Sequence, residues 1–369
     1  MGLTHSSTGH GAVDGGIAIE RKQPGDRVIA LAGNPNVGKS TLFNTLTGLH
    51  QHTGNWPGKT VASATGYVRV GDRGYHLVDI PGTYSLFASS EEEEVARDFL
   101  LFGGADAAVV VCDACALERN LNLVLQVTEI ASHTVLCLNL VEEAEKKHIR
   151  ISPERLSNAL GIPVVAVNAR RRKTLSPLLP LLDAPPASPP TRVDYGEKIE
   201  DAIHRVEPQI SATLGAACPA RWLALRLLAP DAALTETLLR HLGRDPMEVP
   251  EIAGAVTEAR ALLAAVGLSG ETLRDRIAER IMSLAHTVAA DAVTLPPKGT
   301  RDRDRAIDRI VTGRVTAYPV LLLLLLLVFW LTIVGANYPS AALSKLLFSL
   351  EAPLGRLFAL WHFPAWLSG

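Results

Sequence analysis

The sequence predicts an α/β unit, a mostly parallel sheet with flanking helices built round a phosphate-binding loop. A small all-helical domain and a transmembrane helix follow it. Three observations carry that expectation. An apolar strand at 28–32 runs straight into Gly33-Asn34-Pro35-Asn36-Val37-Gly38-Lys39-Ser40, which opens an amphipathic helix at 41–49. Between residues 27 and 182, short β-rich runs alternate with helical patterns, the mark of crossover connections in a parallel sheet. Residues 315–336 contain no charge and include seven consecutive leucines at 321–327, a length that spans a hydrocarbon core of about 30 Å.

Taken in order, residues 1–24 are rich in Gly, Ser and His without an apolar core, so they read as a disordered tail and not as a secretory signal. Residues 25–183 form the α/β unit, with strands expected at 28–32, 66–70, 75–79, 107–112, 134–139 and 163–167. The second and third of these flank Gly71-Asp72-Arg73-Gly74, a hairpin signal. Helices are expected at 91–102, 117–132, 153–160 and 175–182. A proline-rich linker at 184–194 marks a boundary. Residues 195–292, rich in Ala, Leu, Arg and Glu at helical spacing, read as the helical domain. A basic connector at 293–314 brings Arg301, Arg303, Arg305, Arg309 and Arg314 to the start of the span at 315–336. That arginine excess places the connector on the cytoplasmic side, with Trp330 and Tyr338 toward the far interface. Residues 337–369 are apolar but interrupted by Lys345, Glu351, Pro353, Arg356 and Pro364, the pattern of an interfacial amphipathic segment.

Composition narrows the function. A net charge of −2 argues against nucleic acid as a partner. Four cysteines in 369 residues do not make a disulfide framework, and Cys112 and Cys137 lie in apolar runs where they act as small core residues. Cys112-x-x-Cys115 has no second pair to complete a metal site. Glu91 to Glu94 read as a solvated helix start, and His5, His10, His50 and His52 lack ligand spacing.

The chemistry concentrates on the phosphate loop. Gly33 and Gly38 let the backbone of Asn34, Pro35, Asn36 and Val37 fold tightly, so that its N–H groups, which Pro35 lacks, point inward, and the helix beginning near Thr41 adds positive dipole charge. Lys39 is placed to reach the β and γ phosphates, and Ser40 to ligate magnesium. Asp79-Ile80-Pro81-Gly82 ends a strand, where the carboxylate holds a magnesium-bound water and the Gly82 N–H touches the γ-phosphate. Thr60, in a loop with Gly58, caps the same magnesium and is ordered only in the triphosphate state.

Asn139-Leu140-Val141-Glu142 stands after the fifth expected strand, where GTP hydrolases carry Asn-x-x-Asp and the acid accepts from guanine N1 and N2. Glu142 replaces that aspartate with one more methylene. Asn168-Ala169-Arg170 stands where a loop covers the base. Thr83 follows Gly82 in place of a water-orienting glutamine, and Asn36 occupies the position that ligates potassium in some such enzymes. Slow, potassium-accelerated GTP hydrolysis to GDP is the expectation.

Thr53-Gly54-Asn55-Trp56-Pro57-Gly58-Lys59-Thr60-Val61, the phosphate loop, Asp79-Ile80-Pro81-Gly82-Thr83-Tyr84-Ser85-Leu86, Leu117-Glu118-Arg119-Asn120-Leu121 and Ala144-Glu145-Lys146-Lys147 resemble segments of the ferrous iron transport protein B family. Asp308-Arg309-Ile310-Val311 before Tyr318-Pro319 resembles that family's entry into its first membrane helix. The resemblance implies a bacterial inner-membrane iron transporter whose cytoplasmic GTP-binding domain couples switch loops to a multi-span permease. It also implies a helical domain that slows GDP release, contact with membrane lipid, and small FeoA-like partner proteins. A chain with one span cannot form a ferrous pore by itself. A membrane-tethered regulatory or assembly GTPase without a transport role is the alternative.

Overall fold

The computed structural model describes residues 19, 21–48, 51–56, 59–87, 90–131, 133–184, 188–229, 232–294, 310–335 and 337–360. The expectations for the 1–18 part of the tail, for Gly58, for most of the connector and for residues 361–369 lie outside them.

Strand β1 (Arg27–Gly33) is buried from Val28 onward and feeds helix α1 (Lys39–Thr47), whose Leu42, Phe43 and Leu46 turn inward. Strands β2 (Gln51–Asn55), β3 (Ala62–Val70) and β4 (Arg73–Asp79) form an antiparallel edge. Helix α2 (Glu91–Phe102) follows, N-capped by the Ser90 side chain, which accepts from the Glu93 N–H. Then come β5 (Ala107–Asp113), α3 (Leu117–Thr128), β6 (Thr134–Asn139), α4 (Val141–Lys146), β7 (Arg150–Ile151), α5 (Pro153–Leu160), β8 (Val164–Ala166) and α6 (Leu178–Asp183).

The seven-stranded sheet runs β2-β3-β4-β1-β5-β6-β8, parallel from β4 to β8. Strands β1, β5 and β6 are buried almost without interruption because helices cover both faces, as a central parallel sheet requires. Cys112 and Cys137 lie in this core, fully buried. The short strand β2 was expected to be loop. Its Gln-His-Thr-Gly-Asn sequence has no apolar alternation, and only pairing with β3 makes it a strand.

The helical domain comprises α7 (Glu197–Leu214), α8 (Ala220–Leu228), α9 (Ala232–Leu242), α10 (Pro250–Ala265) and α11 (Gly270–Ala292), closed by β9 (Val293–Thr294). Strand β9 pairs with β7, and α11 lies along α3 and α5. One apolar cluster joins Val110, Leu121 and Val124 of the α/β unit to Ile203, Trp222 and Ile281 of the helices, so residues 1–295 form a single compact unit.

Residues 296–369 form a second unit, with α12 (Ala317–Trp330), a π-helical turn at Leu331–Gly335 and α13 (Asn337–Leu360). The uniform span expected at 315–336 is thus interrupted by that turn. Among the described residues no single helix is long and apolar enough to cross a membrane; Ala317–Ile333 and Ala341–Leu350 are shorter apolar helices. The pair α10 and α11, bent by 86°, has the length and composition of a broken span. Its apolar stripes, however, face α3, α5 and α7 while Glu251, Glu258, Arg274 and Glu279 lie exposed, so we assign the pair to the core of the helical domain.

Candidate nucleotide site

The phosphate loop bridges the end of β1 and the start of α1. A Cβ at Gly33 would lie 2.6 Å from the Val111 carbonyl oxygen, and Gly38, at φ 88°, lies against the Asn139 side-chain amide. Both positions need glycine. Asn36 also adopts a left-handed backbone, φ 66°.

Beneath the loop, the Lys39 ammonium pairs with Asp79 and donates to the Ile80 carbonyl at 2.6 Å. The Ser40 hydroxyl donates to the other Asp79 oxygen at 3.3 Å. Strand β4 brings Asp79 here because it runs parallel to β1, with Leu31 and Asp79 in register. The following turn hugs the loop: Thr83 N–H donates to the Gly33 carbonyl at 3.2 Å, and a Cβ at Gly82 would meet the Pro35 backbone at 3.3 Å. Asn34 is 3% exposed, and both its side-chain polar atoms are buried without a hydrogen-bond partner among the described residues. An orphaned amide in a cradle of N–H groups fits a polar ligand. The Ser40 and Asp79 oxygens form a hard donor set that suits magnesium.

Asn139 ties this cradle to a second region. Its amide donates to the Val37 carbonyl at 2.9 Å, and its side-chain oxygen accepts from the Ala169 N–H at 3.0 Å. Beyond it lies a cavity of 510 Å³ lined by Asn36, Gly38, Thr41, Asn139, Glu142 and the 168–171 loop. The loop is shaped by Asn168, whose side chain accepts from the Arg170 N–H at 3.1 Å and whose own N–H donates to Thr174 at 3.0 Å. The cavity therefore brings Asn36, Gly38 and Thr41 together with the expected base residues Asn139, Glu142, Asn168, Ala169 and Arg170, while Lys39, Ser40, Asp79 and Gly82 are not among its lining.

Thr60 stands apart from that cluster. Its hydroxyl donates to Glu91 at 2.9 Å, and the Lys59 ammonium pairs with Glu94 at 2.7 Å. This pairing raises the Lys59 pKa, through the Glu94 hydrogen bond against the opposing effect of burial. Trp56 packs edge-on against Phe99, centroids 5.3 Å apart. Sequence reasoning took Glu91–Glu94 as solvated. The signal that could have found their role was a basic residue and a hydroxyl in the loop awaiting partners. It also missed Gln126, whose side-chain oxygen accepts from Leu86 N–H at 2.8 Å, and Arg226, which donates to the Leu86 carbonyl at 3.1 Å. Among the described residues no group of three His, Cys, Asp or Glu could hold a metal, Cys115 included.

Comparison with known proteins gives the chain its relatives. A family model described as ferrous iron transport protein B matches residues 27–181, and one described as the FeoB cytosolic helical domain matches 195–294. The Fe(2+) transport protein A/Fe(2+) transporter FeoB fusion protein of Porphyromonas gingivalis is 33% identical over 339 residues, covering 88% of this chain and 39% of its own length. The cytosolic domain of the T. maritima FeoB iron transporter in its GMPPNP form superposes with TM-score 0.58 at 32% identity, covering 73% of this chain and 99% of that one. An S. thermophilus NFeoB mutant bound to GDP gives TM-score 0.60 at 28% identity, covering 73% and 100%. The chain spans about two fifths of the length of the curated relatives it matches, 39% to 43%. The chain belongs to the ferrous iron transport protein B family, carrying its G domain and its cytosolic helical domain.

Proposed function

We propose that this chain binds GTP and GDP, hydrolyses GTP, and serves as the cytoplasmic, nucleotide-responsive part of a ferrous iron uptake system of the bacterial inner membrane. The observation that carries the reading is the cavity in which Asn36, Gly38 and Thr41 of the phosphate-loop region meet Asn139 and Glu142, with Asn139 donating to the Val37 carbonyl. A recess that offers phosphate-loop backbone at one end and amide and carboxylate acceptors at the other is complementary to a guanine nucleotide.

Phosphoryl transfer asks the protein mainly to position and to neutralise charge. Lys39 exchanges Asp79 for the β and γ phosphates, while the loop N–H groups hold the oxygens. Gly82 N–H lies beside the loop to meet the γ-phosphate. Ser40, Thr60 and Asp79 are the residues that would hold magnesium, which would supply positive charge to offset that of the phosphates. Asn36, at the rim of the recess, would hold potassium. Thr60 reaches the site by leaving Glu91, which makes its loop the nucleotide-sensitive element. The apolar segment from Ala317 onward is the contact with membrane lipid, and the multi-span permease and FeoA-like proteins are the partners.

The test is competition among GTP, GDP and ATP for the purified chain with magnesium. GTP and GDP should displace a fluorescent guanine nucleotide and ATP should not. Lys39→Ala should lose about 100-fold in affinity or turnover, the scale of a removed charge-stabilising donor. Equal affinity for ATP would overturn the guanine assignment. In cells, Lys39→Ala should abolish ferrous uptake, and normal uptake would favour a tethered regulatory GTPase. Turnover should be faster in potassium than in sodium, with Asn36→Ala removing the difference.

A further inference from the structure

Guanine presents two adjacent donors, N1–H and the exocyclic N2 amino group, and a reader must offer both oxygens of one carboxylate in a fixed plane. Glu142 has three side-chain torsions, so holding its carboxylate in that plane costs more entropy than a shorter acid would. The structure supplies a restraint. Arg171, in the loop that lines the same cavity, places its guanidinium 3.0 Å from Glu142 Oε1. Each carboxylate oxygen accepts at two lone pairs, so an arginine on one of them leaves acceptors for both guanine donors. The side chains are 66% and 46% exposed, so the pair alone adds little to folding. Its positive charge matters once a base covers the carboxylate and removes its water.

We propose that Arg171 is a specificity-determining residue. It fixes the Glu142 carboxylate in the orientation that reads the guanine N1 and N2 donors. The inference rests on the guanine-nucleotide reading above and names how that reading is achieved.

The experiment uses the full chain in detergent and measures displacement of a fluorescent GDP analogue by GDP, ADP and inosine diphosphate, which is guanosine diphosphate without the N2 amino group. Arg171→Ala should weaken GDP about fivefold and inosine diphosphate less than about twofold, as expected for loss of about 1 kcal/mol at one contact. The GDP-to-inosine-diphosphate ratio should therefore fall. Arg171→Lys should restore part of it. In a Glu142→Asp background, where the shorter carboxylate is withdrawn from the guanidinium, adding Arg171→Ala should leave the ratio unchanged. The thermal midpoint should not move in any variant, which separates reading from folding. An unchanged ratio in Arg171→Ala, or tighter GDP binding, would overturn the assignment of Arg171 alone. If the unaltered chain bound ADP as well as GDP, the guanine reading itself would fall and this assignment with it.

Discussion

Asp183 closes the G domain at the end of the sheet opposite the phosphate loop. Its carboxylate accepts from Tyr75 at 2.6 Å and pairs with Arg73 at 2.8 Å and Arg27 at 3.5 Å. Arg27 also donates to the Leu182 carbonyl, so the last helix is tied to the first strand. Burial pushes the Asp183 carboxyl up, but the Tyr75 and Arg73 hydrogen bonds outweigh it and hold the group below its ordinary 3.8. Burial and the same contact push the Tyr75 hydroxyl up to about 12. A carboxyl with a depressed folded pKa binds its proton more tightly in the unfolded chain. Its stabilisation is therefore complete above about pH 4 and is lost as pH falls through the lower folded value. Asp183→Asn should lower stability at pH 7 by about 1–2 kcal/mol, the worth of charge-assisted hydrogen bonds. Denaturant unfolding at pH 7 and at pH 3 checks this: the difference between the two proteins should shrink at the acidic value. A gap of equal size at both would mean that the charge is irrelevant.

At the scale of elements, α2 is where the nucleotide loops meet the helical domain. One side of α2 holds the Trp56–Thr60 loop through Phe99, Glu94 and Glu91. Another side meets α9: Thr237 donates to Asp98 at 2.8 Å, and Phe102 stacks on His241 at 4.6 Å. Just before α2, Arg226 of α8 lies 3.9 Å over the Phe87 ring while donating to the Leu86 carbonyl, and Gln126 takes the Leu86 N–H. The Leu86 backbone is thus held by one side chain from each domain. Arg226→Met keeps the aliphatic stem and removes the guanidinium. It should speed GDP release by roughly three- to tenfold, the range of a coupling of about 1 kcal/mol. Stopped-flow release of a fluorescent GDP would show no change if the helical domain does not restrain this segment.

Little of that network was legible beforehand, although α2 itself was read to the residue. A Ser N-cap, four glutamates and an apolar period define a helix locally. Its partners lie 31 to 140 residues away and obey no local period. The same division runs through the site. Gly33–Ser40, Asp79 and Asn139 were legible as motifs, because a phosphate cradle demands fixed residue types at fixed spacing. Arg171 was not, because an ion pair across a cavity depends on how two loops close. Strand β2, the six-residue α4 and the two-residue β7 and β9 were missed for the related reason that pairing, not pattern, creates them.

At the scale of the molecule, the helical domain is welded to the G domain by a shared core and by the β7–β9 ladder. A displacement of α2 would therefore enter a packed medium instead of a loose hinge. In the proposed reading the second unit is the part that contacts lipid. Its helix from Ala317 to Ile333 exposes Leu321 to Leu327 at 48% to 69%, an apolar surface that water would not tolerate on a stable helix. At about 1.5 Å per residue it is roughly 26 Å long, shorter than a hydrocarbon core of about 30 Å. A carboxylate at its centre costs about 3 kcal/mol to insert. The chain should accordingly fractionate with membranes and resist alkaline extraction. Leu324→Asp should shift a large share of it to the soluble fraction without altering GDP affinity, because residues 1–295 pack as a unit of their own. If the aspartate variant stayed fully membrane-bound, this segment would not be the anchor. If GDP affinity fell in parallel, the nucleotide site would depend on the anchor for its fold.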